Sequence, residues 1–177
     1  MKELEPKITK VDAGSKFVEK IKIVFTHQFP VHERVSLEPF FDPSVEGADA
    51  WVLAEGDKVL GFVTLLSLPP ISYIFYLATD SAYQGKGVGS RLVNFVKEAY
   101  PSDLLFLHCE VPLESAPERL QTRLKRLNFY KRLGFKKVGK EHDWRGELFQ
   151  TMAIGTWDEE KVKKFWERFD PLWSDED

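Results

Sequence analysis

Tyr83-Gln84-Gly85-Lys86-Gly87-Val88-Gly89-Ser90-Arg91-Leu92 joins two stretches of opposite periodicity through three glycines in five residues. Before it, Ile71 to Thr79 is apolar, β-branched and aromatic, the composition of a buried strand. After it, Val88, Leu92, Val93, Val96 and Ala99 recur at helical spacing until Pro101 stops the run. The local order is strand, glycine-rich turn, helix. Glycine lets a ligand come close to the backbone, and the first amides of a helix have no intrahelical partners, so a polyphosphate is the natural guest.

Two other phosphate loops fail on spacing. A Walker A loop needs Gly-x-x-x-x-Gly-Lys-Ser/Thr, and no glycine here is followed at that spacing by the closing triplet. A dinucleotide fingerprint needs Gly-x-Gly-x-x-Gly in an opening βαβ unit, whereas Gly85 begins Gly-x-Gly-x-Gly in mid-chain.

The stretch resembles the acetyl-coenzyme A loop of the GNAT N-acetyltransferases, Arg/Gln-x-x-Gly-x-Gly/Ala, met here as Gln84-Gly85-Lys86-Gly87-Val88-Gly89 with the customary leucine at Leu92. The resemblance implies that the amides of Gln84, Gly85, Lys86, Gly87, Val88 and Gly89 cradle the pyrophosphate, with Ser90 just inside the helix. Lys86 either adds a charge to a phosphate or stays solvated. Leu77, Ala78 and Thr79 are then expected to pair through their backbone with the pantetheine arm, as an added strand would. The family usually has Val at the position of Thr79 and often Pro at that of Ser81; both departures leave the backbone role intact.

Outward from the loop the same order continues. Leu104 to Cys109 reads as a buried strand ending at Glu110-Val111-Pro112. Leu120, Leu124, Leu127 and Tyr130 mark a helix from Glu118 to Leu133, closed by Gly134. Strands at about Lys136 to Lys140 and Leu148 to Gly155 flank a polar connection from Glu141 to Glu147. A helix from Asp158 to Phe169 follows, capped by Asp158, and the acidic tail after Pro171 is expected to fray. On the other side, Ile8 to Val11 is a short strand, and Phe17, Ile21, Val24, Phe25 and Gln28 lie on a helix ended by Pro30. A second short helix is expected from near Glu33 to before Pro43. Ala50 to Ala54 and Val59 to Leu68 form a hairpin turned at Glu55-Gly56-Asp57-Lys58, and Leu60 to Leu66, apolar on both faces, is a central strand covered by helices on each side. This is the GNAT order over most of the chain. It implies an α/β GNAT fold: a central, mixed, twisted sheet of about six to seven strands flanked by helices, with an extra C-terminal helix, in a single domain over residues 1–177.

A second motif, Asn128-Phe129-Tyr130-Lys131-Arg132-Leu133-Gly134-Phe135, looks like the family's Tyr-x-x-x-Gly-Phe segment. Transfer from a thioester expels a thiolate whose thiol has a pKa of roughly 8.5, so a nearby donor stabilises the leaving sulfur. The resemblance makes Tyr130 that acid, with a fall in rate on the alkaline side as its consequence; a core tyrosine on an amphipathic helix is the plainer reading. The attacking amine, with a pKa of about 10, must first lose a proton. Glu110 either accepts that proton, directly or through water, or is a solvated strand-end carboxylate. His108 shares its face of the strand with Glu110 and is read as a buried, satisfied histidine; Cys109 is read as a small core residue. Family members commonly carry an Asn seven residues before the tyrosine. Here that place is Arg123, which puts the usual pantetheine contact in doubt.

The resemblance also implies that the acceptor lies between Phe29 to Phe41 and Glu141 to Arg145, with Glu33, Arg34, His142, Asp143 and Trp144 as candidates. Partners are then acetyl-CoA, as acyl-donor cosubstrate, and an amine, whether amino acid, polyamine, antibiotic or protein N-terminus; a homodimer is left open. A non-catalytic CoA-binding sensor or interaction module is the alternative.

Composition narrows the remaining classes. In 177 residues, 43% hydrophobic content with fourteen Phe and five Trp fills one substantial core. A formal charge of −3 supplies no general attraction to nucleic acid or anionic membrane. One cysteine permits no internal disulfide, no apolar run is long enough to span a membrane, and no His/Cys/carboxylate cluster has metal-ligand spacing. With no apolar signal core after Met1, a cytoplasmic protein working without metal is expected.

Overall fold

The two periodicities of the chain resolve, in a computed structural model describing residues 5–176, into a seven-stranded sheet with helices on both faces. The strands are β1 (Lys7–Val11), β2 (Ala48–Glu55), β3 (Lys58–Leu68), β4 (Ile71–Thr79), β5 (Leu104–Glu110), β6 (Lys136–Trp144) and β7 (Glu147–Gly155). The helices are α1 (Val18–Gln28), α2 (Glu38–Phe41), α3 (Val88–Ala99), α4 (Pro117–Arg132) and α5 (Glu159–Phe169). Strand order is β1-β2-β3-β4-β5-β7-β6. Among the described residues only β4 and β5 run parallel; every other pair is antiparallel.

Each helix buries one stripe. Ile21, Val24 and Phe25 of α1, with Val162, Phe165 and Phe169 of α5, join Phe62 and Leu66 of β3 on one face. Val88, Leu92, Val93 and Val96 of α3 and Tyr130 of α4 meet Leu60, Val63 and Leu65 of β3 on the other. Because β3 is covered on both sides, all residues from Val59 to Leu66 are buried, which is why its sequence shows no alternation. The sheet edges are guarded by charge instead: Lys7 and Lys10 on β1, and Lys136, Lys137 and Lys140 on β6.

Two irregularities open the sheet where a ligand can enter. β4 and β5 pair only from Ile71 with Leu104 to Ile74 with Leu107, and then diverge. Just there, Thr64 and Leu65 of β3 pair with Tyr76 and Ile74, so Phe75 is an extra residue on β4, a bulge that bends the strand. The fully buried Thr64 stabilises it by accepting the Tyr76 N–H at its hydroxyl, 3.0 Å away.

Three sequence expectations are corrected. The second helix is broken into a 3-10 turn at Val31–Glu33 and the four-residue α2. Pro39 is tolerated only in the first turn of a helix, so the helix must begin at Glu38. The polar segment after Lys140 is no open connection: β6 runs on to Trp144, and only Arg145-Gly146, both at positive φ (51° and 84°), make the turn into β7. Its polarity is that of an exposed edge strand. Finally, Asp170–Glu176 forms 3-10 turns, with Trp173 buried and its indole N–H donated to the Ser36 carbonyl at 2.9 Å, where composition alone suggested an unstructured acidic tail. The Asp158 cap is borne out, its Oδ1 accepting from the amides of Glu160 (3.1 Å) and Lys161 (3.2 Å).

Candidate active site

The glycine loop follows β4 directly. Asp80 caps a 3-10 turn, Ser81–Tyr83, and Gln84 leads into Gly85 and Gly87, both left-handed at φ 77° and 80°. Gly87 is the N-cap of α3, with no side-chain cap; the first intrahelical bond runs from the Arg91 amide to the Gly87 carbonyl at 3.0 Å, leaving the earlier amides to face outward. A Cβ at Gly85 or Gly87 would meet nothing within 4 Å, so these glycines leave open space and the space lies over unpaired amides. That arrangement fits a pyrophosphate. Lys86 is exposed, its Nζ 5.7 Å from the centre of the Tyr83 ring. A Cβ at Gly89 would lie 3.0 Å from the Phe129 ring, so α4 is packed against the start of α3 and brings Tyr130 to the same region. Leu77, Ala78 and Thr79 lie beyond the last β4–β5 pair, their backbone on the diverging stretch.

At the divergence, on the face of α1 and α5, lies a cavity of about 830 Å³. β4 contributes Tyr73, Phe75 and Tyr76, and β5 contributes His108, Cys109 and Glu110. Its roof is the segment carrying Glu33 and Val35, which is pinned from three sides. The Tyr76 hydroxyl donates to the Glu33 carbonyl (2.8 Å) and accepts from the Val35 amide (3.0 Å). Arg145, from the β6–β7 turn, donates to the Arg34 carbonyl (2.8 Å) and Trp173 reaches Ser36. Of the acceptor-side candidates, Glu33, His142 and Trp144 line the cavity; Arg34 instead closes the end of α1, donating to the carbonyls of Phe29 and Thr26 (both 2.8 Å). The lining from α5 and the terminal turns, including Trp166 and Trp173, was missed in the sequence. The available signal was Leu172-Trp173, an apolar pair inside an acidic tail.

A charged cluster gathers around Glu110 of the cavity lining. Arg123, 4% exposed, places Nη2 at 2.5 Å from Glu110 Oε2 and 3.1 Å from Glu147 Oε2, and donates to the Val111 carbonyl at 3.1 Å. Arg126 reaches Glu110 Oε1 at 3.2 Å, and Arg119 reaches Glu147 Oε1 at 2.7 Å. Arg123, standing where the family commonly has Asn, thus ties α4 to β5 and β7. Both oxygens of Glu110 are occupied by guanidinium donors. Glu33 faces the same carboxyl: burial, followed by a hydrogen bond to Glu110 and the charge of Glu110, pushes Glu33 up to about 7. The carboxyl of Glu33 therefore holds its proton up to near neutral pH.

The other titratable groups are quieter. His108 is pushed down to about 3 by burial and by His142, so it is neutral; its Nδ1 lies 3.3 Å from the Tyr73 hydroxyl. Burial pushes the Cys109 thiol up to about 11. Tyr130, 7% exposed, packs with Phe129 and Phe135, and burial pushes its hydroxyl up to about 12. Among the described residues no group of three or more His, Cys, Asp or Glu could hold a metal ion, and no helix is long and apolar enough to cross a membrane.

Comparison with known proteins agrees with the geometry. Residues 46–137, more than half of the chain, match the model of the acetyltransferase (GNAT) domain. A Bacteroides thetaiotaomicron protein described as a GNAT-family acetyltransferase superposes with a TM-score of 0.72 at 20% identity, covering 89% of this chain and 92% of that one. A GNAT-family acetyltransferase from Elizabethkingia anophelis, solved with acetyl-CoA bound, gives 0.59 at 11% identity over 85% and 98% of the two chains. The ribosomal-protein-S18-alanine N-acetyltransferase from Escherichia coli gives 0.59 at 17% identity over 88% and 97%. Among curated proteins the sequence finds no match. The family match runs from residue 46 through the diverging strands and the glycine loop to residue 137, more than half of the chain, and the chain belongs to the GNAT acetyltransferases.

Proposed function

We propose that the chain, acting as a single domain, is an acetyl-CoA-dependent N-acetyltransferase that passes the acetyl group directly to a primary amine of a small molecule or a peptide. The observation that carries the reading is the paired carboxyls of Glu33 and Glu110 in a cavity that opens where β4 and β5 diverge beside the glycine loop. Acetyl-CoA supplies an activated acyl group and a thiolate leaving group. The amides of residues 84–90 would hold its pyrophosphate and the backbone of Leu77, Ala78 and Thr79 its pantetheine arm, with a strand amide near Thr79 polarising the carbonyl that is attacked.

Glu33 receives the proton that the ammonium must lose, and Glu110, held by Arg123 and Arg126, keeps the Glu33 carboxyl in place. In this reading Glu110, for which the sequence left open a base or a strand-end carboxylate, positions the base Glu33. Tyr130 protonates the departing sulfur; its high pKa keeps the proton available at every ordinary pH. A cavity of this size, lined by a carboxyl whose pKa is raised to about 7 at Glu33, favours an enzyme over a binding module that has lost its acceptor. The test is a screen of purified protein with acetyl-CoA against a panel of amines, reading free thiol. Release above hydrolysis for at least one amine is expected. Tight acetyl-CoA binding with no release for any amine would favour the sensor.

A further inference from the structure

The cavity is chemically lopsided. Its walls are Phe29, Tyr73, Phe75, Phe149, Trp166 and Trp173. These rings hold one another upright, Tyr73 against Trp166 at 4.8 Å and Phe75 against Trp173 at 5.0 Å between centroids, so the walls are built rather than collapsed. Against these rings stand the carboxyls of Glu33 and Glu110, with the imidazoles of His108 and His142 beside Tyr73 and Phe149. The two arginines of the lining are committed elsewhere: Arg126 to Glu110 at 3.2 Å, and Arg145 to the carbonyls of Arg34 and His32 at 2.8 and 3.3 Å. Glu167 and Asp170 lie at the exposed outer rim.

Resting on the N-acetyltransferase reading above, we propose that the acceptor is a primary amine on an aromatic or bulky apolar body, its ammonium at Glu33 and Glu110 and its body between the ring walls. An ammonium is drawn to carboxylates and to ring faces alike, and the body displaces water from apolar surface. A polyamine offers little apolar body to fill the space between the rings, and an aminosugar would bury hydroxyls against rings that cannot bond them. An amino acid would set its own carboxylate beside two others.

Trp166 and Trp173 make the binding visible without any turnover. Tryptophan fluorescence is titrated with butylamine, hexylamine, octylamine, 2-phenylethylamine, phenylalanine and spermidine, in the absence of acetyl-CoA and again with CoA present. Affinity is expected to rise roughly fourfold per methylene along the alkyl series. 2-Phenylethylamine is expected to bind at least tenfold more tightly than phenylalanine or spermidine, and to be acetylated faster than either. The quench should shrink in a Trp144→Phe, Trp166→Phe, Trp173→Phe triple variant, which removes every indole of the lining and keeps aromatic rings there. A flat alkyl series, spermidine or phenylalanine matching 2-phenylethylamine, or a quench undiminished in the triple variant would overturn the proposal. Thiol release with spermidine alone would contradict this inference and leave the transferase reading standing, whereas no release with any amine would contradict the transferase reading itself.

Discussion

At Glu33 the local backbone and the tertiary fold together set the chemistry of one carboxyl. Tyr76 pins its backbone, burial and the facing Glu110 raise its pKa to about 7, and a group with that value is half deprotonated where cells work. The wild-type rate is expected to fall as pH drops through about 7, and Glu33→Gln should remove that limb and lower kcat about a hundredfold or more. A stability signature accompanies it. The folded chain keeps the Glu33 proton between the ordinary value of 4.5 and about 7 while the unfolded chain has lost it, so stability should fall as pH rises through that window. Melting curves from pH 5 to 8 should show that slope in the wild type and a shallower one in Glu33→Gln. Tyr130→Phe is expected to cost roughly 10²–10⁴-fold in kcat with acetyl-CoA affinity unchanged by calorimetry. The alkaline limb expected from the sequence moves out of reach, because burial holds that hydroxyl protonated up to about 12. An unchanged kcat in Tyr130→Phe, with chemistry rate-limiting, would return the residue to the core.

The elements around the site owe their shape to a few backbone choices, and two of these can be tested. Gly87 needs positive φ but has open space where a side chain would go. Asn tolerates the left-handed region better than other residues with a Cβ. Gly87→Asn should therefore fold with little loss of stability and yet bind acetyl-CoA at least tenfold more weakly by calorimetry; equal affinity would make the loop a mere turn. Arg145 occupies the left-handed region at φ 51° without being glycine, in a two-residue turn that favours Asn-Gly. The strained residue is the one that clamps the roof at Arg34. Arg145→Asn should keep or slightly raise the melting temperature and raise KM for the amine, with KM for acetyl-CoA hardly changed. A lowered melting temperature with both constants unchanged would show that the clamp serves only the fold.

Across the whole molecule, what was legible in the sequence followed periodicity and turn chemistry. The glycine spacing carried the resemblance to the family, and the apolar stripes of α1, α3 and α5 with the doubly apolar β3 gave the order of elements along the chain, because each is a local pattern with a tertiary meaning. The acceptor side was legible only in outline. Glu33 stood out as one candidate among several, but its pairing with Glu110 depends on a turn brought to the sheet by Tyr76, far away in the chain. Arg123 read as a departure from the family pattern; its partners Glu110 and Glu147 lie on two other strands that no spacing rule connects to it. Trp173 sat in an acidic tail that composition marked for fraying, and it is fixed by Ser36 at the opposite end of the sequence.

The central claim, direct transfer from acetyl-CoA to an amine held in this cavity, is tested most directly by initial rates with both substrates varied, using the fastest amine found, with the product identified by mass. Intersecting double-reciprocal lines and an amine carrying one acetyl group are expected, since both substrates must occupy the site together. Parallel lines with an acetylated protein intermediate, or thiol release with no acetylated amine, would contradict it.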